Sequence, residues 1–254
     1  MERILTVTNS QKVTKHKKTA LYVLLIYILM QISSRWLLLP FHKLIMKVTG
    51  LASEQAAPIT QGWYIALSFA VALILSLILT SRDKAFWNIY QGKKETIPLT
   101  IVWGIIGFFL VFFGQMIGAA IEMAVFGIEG GSQNTADIVA IAKGAPIAIL
   151  AIVVFGPILE EFVFRRVIFG SLVQTTNFWV AAIVSAIFFA IIHFDFSHIL
   201  LYTICGLIFA FLYHKTKRIW TSIIAHVMLN GFVTLVQFYA EPLQKFLQEL
   251  EKMQ

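Results

Sequence analysis

The chain has 254 residues, of which 59% are apolar and only 13% charged, and phenylalanine alone supplies 22. That balance excludes an ordinary soluble domain and points to an all-α, polytopic integral membrane helical bundle. The formal net charge of +7 is explained by membrane topology and attraction to anionic lipid, and with no basic patch interleaved with aromatics it specifies no nucleic-acid partner.

Apolar runs of roughly 17 to 25 residues are read as spans. They fall at 19–39, 63–81, 99–126, 145–172, 178–194, 199–213 and 219–239, which predicts seven to eight transmembrane helices in a cell membrane. The first run follows a basic tail, residues 1–18, carrying Lys12, Lys15, Lys17 and Lys18. It is long and lacks a small-residue cleavage site, so it is an uncleaved first span with a cytoplasmic N-terminus. Under that topology twelve Lys and Arg fall inside and six outside, counting neither Arg165 nor Arg166, which lie within a span.

Between the spans, residues 41–47 suit a short amphipathic segment on the membrane surface. Residues 127–144, with Gly130-Gly131, suit a mobile external loop. The transmembrane domain covers 19–240, its motif-bearing core 145–232, and a polar C-terminal tail 241–254. Gly114 and Gly118 have the spacing that lets helices approach closely. The single Cys205 allows no internal disulfide and no cysteine-based metal site.

The polar groups of the second half carry the chemistry. Glu160, Glu161 and Arg165 lie inside the 145–172 run, where one charge at mid-bilayer costs about 2.5 to 3.5 kcal/mol. Glu161 precedes Arg165 by four residues, the favourable order for a helical ion pair, so the arginine neutralises one acid and leaves Glu160 available. The next span is reached by a turn at Thr175-Thr176-Asn177. Glu160 and His193 are each about 23 Å from it along an antiparallel helix pair, so they meet at one depth. Phe189 stands four residues before His193 and braces it, and His226 and Asn230 share one face of the last span.

A carboxylate beside an imidazole can take a proton from water, and an imidazole and amide on another helix can donate to the oxyanion formed on an attacked carbonyl. Bland readings stand beside this one. Glu161 with Arg165 and Arg166 could be a structural ion network, and His226 with Asn230 could be packing glue between helices. His16, His42, His198 and His214 sit at span ends or in loops and receive no role. Asp195 ends the fifth helix at the water boundary, and Glu122, Gln31 and Gln115 are further polar groups in or near spans.

The series Glu160-Glu161-x-x-x-Arg165, Phe189-x-x-x-His193 and His226-x-x-x-Asn230, spread over 146–230, resembles the motif set of the CPBP intramembrane protease family. That family groups CAAX prenyl endopeptidases with bacterial bacteriocin-processing and self-immunity (Abi) proteins. The resemblance implies a glutamate-type endopeptidase acting on membrane-associated proteins or peptides. Glu160 and His193 would activate water, His226 and Asn230 would stabilise the oxyanion, and Glu161, Arg165 and Phe189 would support the site. It implies no cofactor, with zinc held by Glu160, His193 and His226 as the second choice. The alternatives of another class are a non-catalytic bacteriocin self-immunity or scaffold protein and a proton-coupled transporter.

Overall fold

The computed structural model describes residues 2–90, 93–128 and 131–252. Among them the regular structure is entirely helical. We number nine helices: α1 (Glu2–Ile32), α2 (Ser34–Thr49), α3 (Ser53–Ser81), α4 (Ile97–Phe126), α5 (Gln133–Gly144), α6 (148–172), α7 (Phe178–Ile191), α8 (Ile199–Thr216) and α9 (Ile219–Lys252). The limits set for the two tails fall inside α1 and α9 rather than at breaks, and Gly130 lies outside the described residues.

Among the described residues, four helical segments are long and apolar enough to cross a membrane: Ser53–Ser81, Ile97–Phe126, Phe196–Thr216 and Ile219–Ala240. Lys17–Ile32 and Ser34–Thr49 make a fifth if the pair, bent by 55°, is one span. The expected seven to eight is therefore too many by this measure. The difference lies in the site-bearing helices, because α6 carries four charged residues and α7 has only 14 residues. Such helices cross lipid only when neighbours shield them.

The segment expected to be a mobile loop is largely helix α5. Ser132 begins it by accepting a hydrogen bond from the Thr135 amide at 3.2 Å, which satisfies one of the orphan donors of the first turn.

The core is built where α4 lies against α8 and α9, and α8 against α7. The close approach depends on glycine. A methyl group on Gly118 would lie 3.0 Å from the Leu201 Cα, and one on Gly206 would lie 2.8 Å from the Ala186 Cα. The glycine spacing read from the sequence thus marks a real helix contact. Beside it, Glu122 is buried at the start of α8, its Oε1 accepting from the Leu201 amide at 3.0 Å and its Oε2 2.8 Å from His198 Nδ1. An acid from one helix caps the positive end of another.

Helix α6 alternates between ordinary α turns and two wider π stretches, Ala151–Phe155 and Glu161–Phe169. Wide turns shift the backbone ladder and tend to occur at functional sites. Two carbonyls within them are taken by side chains from other helices. Ser185 Oγ donates to the Phe164 carbonyl at 2.7 Å and Asn230 Nδ2 to that of Ile152 at 3.1 Å. Arg166 turns the other way, donating through Nε to the Phe86 carbonyl with its guanidinium 3.9 Å over the Phe86 ring.

Candidate active site

Glu160 and Glu161 sit at the junction of an α segment with the second π stretch, and their environments differ. Glu161 is fully buried, with Oε2 3.3 Å from the Nε of Arg165, which is equally buried. The Glu160 side chain retains 15% exposure and faces a cavity. The spacing rule for Glu161 and Arg165 therefore describes a real ion pair, and Glu160 is the acid that water can reach.

His226 stands between the two acids. Its Nδ1 lies 3.0 Å from Glu161 Oε1 and its Nε2 3.5 Å from Glu160 Oε2. Its ring is stacked on Phe209, with centroids 4.5 Å apart and planes 22° from parallel. The Arg165 guanidinium lies 4.5 Å from the centre of the Phe189 ring and 5.1 Å from that of Phe209. Aromatic faces stabilise the cation where Nη1 and Nη2 have no hydrogen-bond partner.

His193 follows α7, and its Nδ1 lies 2.7 Å from the Phe189 carbonyl. A carbonyl only accepts, so Nδ1 carries the hydrogen, and in the neutral ring Nε2 holds the lone pair. Two rings hold this imidazole: Phe189 at 4.8 Å, edge to face, and Tyr202 at 4.0 Å, stacked. Phe189 also meets His226 at 5.7 Å, so it braces both histidines and the arginine.

Glu160, His193, His226 and Asn230 all line one cavity of about 1300 Å³. Within it, the histidine paired with Glu160 is His226 rather than His193. The hydrogen bond of Asn230 goes to Ile152, which occupies one N–H of its amide and leaves the second. Among the described residues no three His, Cys, Asp or Glu side chains are grouped so as to hold a metal ion, so the zinc set Glu160, His193 and His226 is not assembled.

Sequence reasoning missed three contributors. Tyr202 and Phe209 lie seven residues apart on α8, two turns along one face, and that spacing was the available signal. Asp195 was read as a helix end at the water boundary, but α7 stops at Ile191 and the half-buried Asp195 lines the cavity, its Oδ2 closed to solvent and without a hydrogen-bond partner.

Comparison with known proteins agrees with this arrangement. Residues 142–232, which hold all the motif residues, match the model of the Rce1-like family of type II CAAX prenyl endopeptidases. The chain is 38% identical over 233 residues to YdiL of Bacillus subtilis, named as a candidate membrane peptidase, covering 92% of this chain and 94% of that one. It is 33% identical over 227 residues to the membrane-embedded CAAX protease MroQ of Staphylococcus aureus, covering 86% and 90%. A shorter match, 41% identical over 85 residues and covering 33% and 45%, is to the UPF0177 protein YxdF of Lactococcus lactis. No solved structure matches. Similarity to two membrane peptidases over most of its length, with the family match centred on its buried acids and histidines, makes this chain a multi-pass membrane peptidase of the Rce1-like CAAX protease family.

Proposed function

We propose that this peptidase is of the glutamate type, with Glu160 as the general base. The observation that carries the reading is the contrast between the two neighbouring acids: Glu161 is sealed in a pair with Arg165, while Glu160 faces the cavity. In this mechanism Glu160 takes a proton from a water held by His193 Nε2, and the resulting hydroxide attacks the scissile carbonyl. The oxyanion receives hydrogen bonds from the second amide hydrogen of Asn230 and from His226 Nε2 once that ring carries a second proton, its Nδ1–H being held by Glu161. On collapse the C–N bond breaks, and Glu160 returns its proton to the leaving amine. Glu161 orients His226 through Nδ1, and Arg165 balances the charge of Glu161.

Removal of the general base lowers turnover by about 10² to 10⁴. New peptide termini are compared in membranes and medium from cells carrying wild type or Glu160→Gln at matched abundance. Termini lost in the variant support the peptidase mechanism and identify its substrates. Identical profiles overturn the assignment of Glu160.

We further propose that the chain resides in the cell membrane with its N-terminus in the cytoplasm. The connections α3–α4 and α8–α9 come together at one end of the bundle, where the Glu95 amide donates to Thr216 and Arg218 Nε donates to the Glu95 carbonyl at 2.7 Å. The first turns of the α1 span reach this end too, since Thr19 Oγ1 donates to Asp83 at 2.8 Å. Arg82, Lys84, Lys93, Lys94, Lys217 and Arg218 gather there, so this is the cytoplasmic end by the positive-inside rule.

A further inference from the structure

We infer that the cavity selects peptide segments bearing positive charge, with Asp195 as a specificity-determining residue; this rests on the peptidase reading of the same cavity and names its substrate class. The charged residues lining the cavity are Asp137, Glu160 and Asp195, and among the described residues lining it there is no lysine or arginine. The arginine nearest the chemistry, Arg165, is fully buried behind Glu161 and does not line the space. A cleft with charge of one sign and apolar walls concentrates ligands of the other sign.

Asp195 is the acid with no other duty. Asp137 accepts a hydrogen bond from Gln133 at 2.7 Å, and Glu160 faces His226. Asp195 Oδ2 is buried without a hydrogen-bond partner, although a buried polar group left unpaired is expensive and calls for an explanation. The backbone puts it there. Phe194, between His193 and Asp195, has φ of 52°, a left-handed conformation that a bulky residue adopts only where surroundings enforce it. Asp195 lines the cavity two residues from the imidazole, and a turn of its side chain that opens Oδ2, closed to solvent here, would let it bind a lysine, an arginine or a free amino terminus beside the scissile bond. The same charges disfavour a chain that ends in a free carboxylate at this point.

The test uses the full chain in nanodiscs of uncharged phosphatidylcholine, so that the lipid gathers no cations. The probes are synthetic peptides with one shared apolar core and a photocrosslinker, flanked by two lysines, two glutamines or two glutamates. Crosslinking to Glu160→Gln, in which cleavage is slowed too far to deplete the peptide during labelling, is expected to rank lysine over glutamine over glutamate. The lysine-to-glutamine ratio should be about fivefold, the upper range for a partly exposed ion pair. Adding Asp195→Asn should bring the ratio close to one, and Asp195→Lys should invert it. A ratio near one in the Glu160→Gln protein, a ratio unmoved by Asp195→Asn, or no capture above the background set by unlabelled peptide overturns the inference. The same peptides offered to wild type separate the two readings. Charge-ranked capture without cleavage removes only the peptidase mechanism, and cleavage without charge ranking removes only this inference.

Discussion

Tyr202 lies flat against the imidazole of His193, with ring centroids 4.0 Å apart and planes 23° from parallel. Its hydroxyl lies 2.9 Å from Ser132 Oγ and accepts from Asn134 Nδ2 at 3.3 Å, so the start of α5 is tied to a ring that fixes a site histidine. This makes Tyr202 a positioning residue. Tyr202→Leu removes the stacking partner and should lower kcat by about tenfold or more, because small misplacements of a reacting group have large kinetic effects. Tyr202→Phe keeps the ring and should restore most of kcat. Turnover of one cleaved peptide by the three proteins decides it, and equal losses in Phe and Leu would assign the effect to the hydroxyl instead.

The pair Glu161 and Arg165 is fully buried, and the energetics of such pairs are asymmetric. Removing one partner leaves an uncompensated charge and costs about 3 to 5 kcal/mol, whereas replacing both can be nearly neutral. Glu161→Gln and Arg165→Met should each lower the Tm in detergent, and the double variant should recover a large part of that loss. Its activity should stay low, because Glu161 also holds His226 Nδ1 at 3.0 Å. Additive Tm losses would show that the two residues act independently.

The sequence made some of these relationships legible and hid others for definite reasons. Glu161 and Arg165 could be paired because an i,i+4 contact is local, and Gly118 could be read because close helix approach has few residue solutions. Counting helix rise put Glu160 and His193 at one depth, and both line the same cavity. Counting along helices gives depth but not rotation, so it did not foresee that His226 would be the histidine within 3.5 Å of Glu160. The π stretches of α6 have no compositional signature, and their consequence, Asn230 and Ser185 completing the backbone of another helix, depends on tertiary packing. Asp195 was misread because its position depends on one left-handed residue, Phe194. The span count was too high because apolar runs were weighed without asking which helices lie inside the bundle. Glu161 and Arg165 are buried charges on a helix that lipid alone would not accept.

The direction in which the cavity opens follows from the same geometry. Its exposed rim includes Gln133, Asp137 and Ser197, in or next to the segments that join α4 to α5 and α7 to α8. These lie at the opposite end of the helices from Lys93 and Arg218, so if the N-terminus is in the cytoplasm, as proposed above, the mouth faces away from it. In a Cys205→Ala background, a cysteine at Ser197 should react with a membrane-impermeant maleimide on intact cells. A cysteine at the exposed Lys93 should react only after permeabilisation. The reverse pattern would put the mouth in the cytoplasm and the N-terminus outside. In the proposed orientation a substrate segment would meet Glu160 and His193 from the outer face, and the labelling pattern decides whether that holds.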